Sequence, residues 1–290
     1  FQTEALPPNF ELTTSGDIAI LDGYKPSIFY VKTINAEKLH FNFKKLSDEE
    51  FNMLYHNGYV DTPTIDKVSG PFISWDKKAK KELNKEIYTT IDMAKETNST
   101  ISNGGVPVLE PGIYYFDVQS PEVLEDYYDE KGTLKQRPRI YRQLFVVSKT
   151  ALAIKYSASE ILVWAADLQS GKPVEGENVE IMALNSRYDE NGYYIGSDKK
   201  SIGKATTDEK GLAKIATPSD TTNPGEYIVT GIRDNDFSFT HSSWTEGVAP
   251  WNFNIAYEPT QQSYYVYTYT DRPIYRPGDT IYFKGLVRKE

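Results

Sequence analysis

Apolar and polar positions alternate in short runs along most of this chain, the period of half-buried strands. Ser27-Ile28-Phe29-Tyr30-Val31-Lys32 and Lys38-Leu39-His40-Phe41-Asn42-Phe43 read as two strands joined by a turn at Ile34-Asn35-Ala36-Glu37. Ile87-Tyr88-Thr89-Thr90-Ile91-Asp92-Met93 and Tyr141-Arg142-Gln143-Leu144-Phe145-Val146-Val147 repeat the pattern, and Glu110-Pro111 turns into a strand over 112–118. From residue 150 onward, Ala151–Tyr156, Glu160–Leu168, Val179–Leu184 and the run through Ala213 and Ile215 are strands, with turns at Asn191-Gly192 and Thr207–Gly211.

The period changes to that of a helix at one place. Ser47 with Glu50 three residues later forms a capping box, Phe51, Leu54 and Tyr55 line one helical face, and Asn57-Gly58 supplies a stop. A single short helix near 47–57 is an insert in a β domain, not the sign of an α/β fold. Residues 1 to about 20 form a polar lead-in with room for one strand, and 61–107 are long and polar apart from the strand near 87. The wording Pro111-Gly112-Ile113-Tyr114 returns as Pro224-Gly225-Glu226-Tyr227, which predicts two copies of one domain type. Short strands separated by regular turn signals favour antiparallel sandwiches.

Composition agrees with this reading. Length 290 gives a prior of two domains, and 39% apolar with 25% charged residues lets each build a core. Aromatics at 13%, with 22 Tyr, favour strands. A net charge of −9 argues against nucleic acid and against electrostatic attachment to an anionic membrane. The absence of Cys removes disulfides, thiolate metal sites and cysteine nucleophiles. No apolar run reaches the roughly 18 residues of a membrane helix. Phe1 in place of a start Met fits an export signal already removed, with 2–9 as a flexible tether; an arbitrary cut in a longer chain is the alternative.

Little chemistry is legible. His40, His56 and His241 are far apart and lack ligand spacing, so they read as ordinary structural or surface residues. Asp126, Asp129 and Glu130, and again Asp234-Asn235-Asp236, are acidic enough for calcium but lack its loop order, and read as solvated turns. The lysines at 77, 78, 80 and 81 read as a solvated face, and Asn98-Ser99-Thr100 fits a glycosylation sequon, which means little if the source is bacterial. Trp244, Trp251 and Phe253 pack a linker against a sandwich; a sugar-binding platform is the alternative. No nucleophile elbow, phosphate loop or zinc-protease motif occurs. The expected site is therefore empty: no catalytic residue, metal or cofactor.

The last residues carry a resemblance. Tyr265, Tyr267 and Tyr269 alternate on one face of a strand, Pro277-Gly278 supplies a turn, and Ile281, Phe283, Gly285 and Val287 share a face of the next strand. Asp271-Arg272-Pro273-Ile274-Tyr275-Arg276-Pro277-Gly278-Asp279-Thr280 resembles the opening of an early macroglobulin domain in the alpha-2-macroglobulin family, with wording nearer its bacterial branch. The strand ending Asp167-Leu168, followed by Gly171-Lys172-Pro173-Val174 and Val179, resembles the same domains.

The resemblance implies an all-β chain of tandem antiparallel β-sandwiches, macroglobulin or fibronectin-III-like, divided at 1–148, 149–261 and the truncated start of a third at 262–290. It implies the N-terminal scaffold of a bacterial broad-spectrum endopeptidase trap, exported to the periplasm or cell surface, with a lipid anchor outside this chain as one mode of attachment. Its partners would be proteases, met through the full-length protein, and neighbouring macroglobulin domains. The family's reactive thioester uses a Cys-Gly-Glu-Gln motif that this Cys-free chain does not contain, and no bait segment is recognisable. The alternative is an Ig-like surface module that binds glycan or a partner protein.

Overall fold

The computed structural model describes residues 4–14, 18–56, 59–60, 68, 70–99, 101–129, 131–157, 159–217, 226–244 and 264–289. Asn57-Gly58, Pro224-Gly225, Trp251 and Phe253 lie outside them.

The first part contains β1 (Asn9–Leu12), β2 (Ile18–Asp22), β3 (Ile28–Ile34), β4 (Lys38–Leu46), α1 (Asp48–Leu54), β5 (Tyr55–His56), β6 (Tyr59–Val60), β7 (Ile73–Lys78), β8 (Glu86–Asp92), α2 (Met93–Glu96), β9 (Ser102–Asn103), β10 (Val106–Pro107), β11 (Gly112–Tyr128) and β12 (Leu134–Ser148). A three-stranded sheet ordered β1-β3-β8 faces a five-stranded sheet ordered β2-β12-β11-β4-β7. Between them lie Phe10, Phe29, Val31, Leu39, Phe41, Phe116, Phe145 and Val147. Alternation drives the packing: Leu39, Phe41 and Phe43 of β4 are buried while Lys38, His40 and Asn42 turn to the other face.

The second part contains β13 (Thr150–Tyr156), β14 (Glu160–Asp167), β15 (Asn178–Tyr188), β16 (Tyr194–Thr206), β17 (Leu212–Ala216), β18 (Glu226–Arg233) and β19 (Asp236–His241). Its sheets are β13-β14-β17 and β16-β15-β18-β19, closed over Ile161, Val163, Val179, Ile181, Tyr227 and Val229. Matched in chain order, β1, β3, β4, β7, β8, β11 and β12 occupy the places of β13 to β19. The tandem all-β sandwich read from the Pro-Gly-x-Tyr recurrence thus has the same strand order twice. Tyr114 and Tyr227 both sit near the starts of the central strands β11 and β18.

Several local expectations need correction. The lead-in holds two strands, and β2 pairs parallel with β12 because the chain crosses from one sheet to the other. The polar stretch 61–107 hides β7, whose Trp75 stacks on Phe41 at 5.2 Å. Met93 opens α2 instead of ending a strand, since Asp92 caps it. The helix α1 has the expected capping box but ends at Leu54, where Tyr55 becomes extended.

One turn recurs three times. Asp129, Asp189 and Asp208 each accept, through Oδ1, the amide N–H groups two and four residues on. A glycine with φ near +70° to +80° follows at 132, 192 and 211. Asn191-Gly192 thus lies inside a turn running from Asp189 to Tyr193.

The last strands are β20 (Tyr264–Thr270) and β21 (Phe283–Lys289), paired antiparallel. Pro277-Gly278 does form a turn, with Gly278 at φ 93° and Asp279 N–H donating to Arg276 C=O at 3.0 Å. It sits within a longer connection, 271–282, and Ile281 falls outside β21. The described apolar side chains of this hairpin are exposed, Tyr267 at 66% and Phe283 at 75%.

Candidate functional site

Three places bring titratable side chains together. The first is an open groove of about 800 Å³ at one end of the five-stranded sheet. β4 and β7 place His40 opposite Asp76, with Nδ1 2.7 Å from the carboxylate, beside Lys78, Pro121 and Pro138. The groove exists because β11 bulges between Gln119 and Leu124, and Glu122 from the bulge accepts the Glu37 and Lys38 amides. Among the described residues neither a hydroxyl nor a thiol lines it, so none of them offers the imidazole a nucleophile to activate. The lysines beyond it are tied to carboxylates, Lys78 to Glu37 and Lys80 to Glu82, as a solvated face requires.

The second is the inner row of the same sheet face. Asn42 and Tyr115 donate to Asp117 at 2.9 and 2.8 Å, and Ser74 donates to Asn42. Burial raises the Asp117 pKa, and these donors oppose the rise.

The third is the joint between the sandwiches. The outer face of the five-stranded sheet carries Ile113, Tyr115, Leu144 and Val146, and α1 lays Phe51, Leu54 and Tyr55 beside them. Leu184, Ile228, Phe237 and Phe239 of the second sandwich close the cluster. Phe51 stacks on Tyr55 at 5.5 Å and meets Phe239 edge-on at 5.4 Å. Lys199 of β16 donates to the Asn52 carbonyl at 3.0 Å and lies over the Tyr55 ring; burial lowers its pKa to about 8.

The acidic candidates go to structural work here. Asp236 fixes the linker between the sandwiches: it accepts from Ser148 Oγ, Lys149 N–H and Thr150 Oγ1 at 2.9–3.1 Å. Asp234 is in the left-handed region, φ 55°, and with Asn235 makes the tight turn from β18 to β19. Asp126 lies on β11 and accepts from Gln136, so it is not in a loop, whereas Asp129 caps the turn described above; Glu130 is outside the described residues. Among the described residues no His, Cys, Asp or Glu cluster has the form of a metal site.

Two contacts were invisible in sequence. Tyr24 donates to Asp167 across the joint at 2.6 Å, which raises its pKa to about 12, and Ser170 with Tyr24 holds Asp167 down to about 2. Buried Glu177 accepts from Ser238 and faces Arg233 at 3.7 Å; burial raises its pKa.

A family model described as the bacterial alpha-2-macroglobulin MG3 domain matches residues 147–260. Residues 147–260 are thus similar to a macroglobulin domain of the bacterial alpha-2-macroglobulin family. This domain therefore spans β13 to β19, including the face that Phe237 and Phe239 present to α1.

No curated protein matches the sequence. Among solved structures, a segment of native Escherichia coli alpha-2-macroglobulin spanning domains MG0-NIE-MG1 is similar with TM-score 0.52 at 14% identity, over 83% of this chain and 66% of that one. A shorter piece of the same protein, NIE-MG1, gives 0.52 at 13% identity, over 81% and 97%. A mutant Salmonella alpha-2-macroglobulin gives 0.59 at 13% identity over all of this chain and 15% of that one. These likenesses establish the shared fold, and the chain spans a small part of the Salmonella protein.

The remaining candidates lie in or near the macroglobulin domain. Trp244 packs on Phe239 at 5.3 Å, and His241 lies between Tyr55 and Trp244. Both therefore belong to the joint. His56 lies in β5, far in sequence from His40, and the structure assembles no histidine set among the described residues.

Proposed function

We propose that this chain is scaffold: tandem macroglobulin-type sandwiches of a bacterial alpha-2-macroglobulin-like protein that traps endopeptidases, without chemistry of their own. The match of residues 147–260 to the MG3 domain carries this reading. The joint supports it, because Asp236, Tyr24, Asp167 and Lys199 are spent on holding one sandwich against the other. In this reading 1–148 and 149–261 are the two sandwiches, and 262–290 opens a third whose missing layer would cover Tyr267, Phe283 and Val287. Extending the chain by about 80–100 residues, a common sandwich length, slows amide exchange in β20 and β21; unchanged exchange refutes the third sandwich.

The protein is exported, to the periplasm or cell surface, with any lipid anchor lying outside these residues. Its proteases are met through the rest of the protein, and its immediate partners are neighbouring macroglobulin domains. The test compares the full-length protein with this chain. The full-length protein shields a bound protease from large inhibitors while small substrates still reach it, and this chain alone gives no shielding. Shielding by this chain alone, or catalysis by it that a point mutation abolishes, overturns the assignment.

A further inference from the structure

The alternation along β19 places Phe237, Phe239 and His241 on one face and Ser238 and Thr240 on the other. The first set does not enter the core of its own sandwich; it meets α1 and Tyr55 of the other. His241 is 2% exposed and is the titratable member of that set.

Its hydrogen bonds define its protonation state. The Ser243 amide donates to Nδ1 at 3.1 Å, and the Ser243 hydroxyl lies 2.6 Å from the same atom. A nitrogen that accepts from an amide carries no proton, so the ring is neutral with its hydrogen on Nε2. Nε2 is buried and lies 3.6 Å from the Glu226 carboxylate, too far for a hydrogen bond. A second proton can enter only at Nδ1. It would set the new N–H against the Ser243 amide, a donor, with only the Ser243 hydroxyl able to turn and accept, and would place a charge among the Tyr55, Phe239 and Trp244 rings.

Among the described residues, the charged surroundings offer little relief. On β18 the neighbour is Glu226, itself half exposed. On β16, Lys199 already holds an ammonium over the same Tyr55 ring. On α1, Asp48, Glu49 and Glu50 occupy the first turn, at the end away from Tyr55.

We propose that the joint between the two sandwiches is an acid-sensitive clasp, released when His241 takes up a proton at Nδ1. Release separates α1 and Tyr55 from β19 while both sandwich cores persist, because the imidazole touches the joint and not those cores. Burial lowers the His241 pKa from 6.5 to about 4 in the closed joint. With an ordinary imidazole in the open joint, the closed-to-open ratio falls about 20-fold from pH 7 to pH 5 and about 120-fold to pH 4. The clasp is at full strength well above pH 6.5, loses about half its closed-to-open ratio at pH 6.5, and weakens further as pH falls toward 4.

The experiment follows amide exchange in the intact chain between pH 7 and pH 4, corrected for intrinsic rates, for the wild type and for His241→Phe. The wild type should lose protection in α1 and β19 on acidification, with β11 and β14 still protected and Trp244 emission shifting in parallel. His241→Phe should show a flat profile in α1 and β19. A direct NMR titration of the wild-type imidazole needs no variant and must show it neutral at pH 5. The proposal is overturned by a ring that titrates near 6.5, by equal pH profiles in wild type and variant, or by simultaneous loss of protection in β14 and β19.

Discussion

Phe51→Ala is the sharpest probe of the joint, because Phe51 belongs to neither sandwich core. It is 1% exposed and meets three rings, Tyr55 at 5.5 Å, Phe237 at 5.9 Å and Phe239 at 5.4 Å. Losing the burial of such a ring costs about 1.5–3 kcal/mol. Edge-to-face partners add about 0.5–1.5 kcal/mol each, and the cavity left behind brings the total to about 3–5 kcal/mol. That loss falls on the coupling between the sandwiches, since the clusters around Phe41 and Phe116, and around Ile181 and Val229, keep every member. The expected result is that one urea transition becomes two, with the macroglobulin domain of 147–260 melting first. Trp75 emission reports the first sandwich and Trp164 substitution variants separate out the second. A single transition with an unshifted midpoint would refute the idea that α1 is the coupling element; so would an equal loss of stability spread through both cores.

Two further substitutions test particular contacts. Gly192→Ala should cost about 1–2 kcal/mol, the strain of a left-handed L-residue, because nothing lies within 4 Å of the added carbon. Gly211→Ala should cost at least twice that by thermal melting, because its Cβ would meet the Ala165 carbonyl oxygen at 2.4 Å. Asp236→Ala should leave the Lys149 and Thr150 donors without their acceptor, at about 1–3 kcal/mol per buried group, while Ser148 keeps the Thr150 carbonyl; limited proteolysis should then cut near 148–150 faster than in the wild type.

Much of this fold is legible in the residues. The alternation through Phe29, Val31, Phe41 and Phe43 finds β3 and β4, the Ser47–Glu50 capping box finds α1, and the two Pro-Gly-x-Tyr segments find the repeated central strand. What stayed hidden depends on residues distant in sequence. β7 carries Ser74, Asp76, Lys77 and Lys78, and only Trp75 stacking on Phe41 and Phe116 explains why so polar a segment extends the sheet. β11 and β12 run far past their expected ends because the pairs Glu125–Arg137 and Tyr128–Leu134 continue the ladder beyond the bulge. The Asp236 clamp looks like a solvated turn in sequence because its three donors lie more than eighty positions earlier. The roles of His241 and Phe51 could not be read for the same reason: local pattern gives the face of an element, not what covers it.

The two sandwiches share seven strands in one order, so their differences mark what each copy adds. The first copy adds α1 after β4, the parallel strand β2 along β12, and the long ribbon beyond Gln119. Two of these additions meet the second copy. α1 supplies Phe51 and Tyr55 to the joint, and β2 leads to Gly23 and Tyr24, which bond Ser148 and Asp167. The second copy keeps the plain strand order and contributes side chains already pointing outward from β15, β18 and β19. A connection of a few residues would let two such units swing. Here the additions cover an apolar sheet face and Asp236 of the second copy caps the linker, which together remove that freedom. What is specific to this chain therefore lies at the joint between its sandwiches, where α1, Tyr24 and Asp236 fix one against the other.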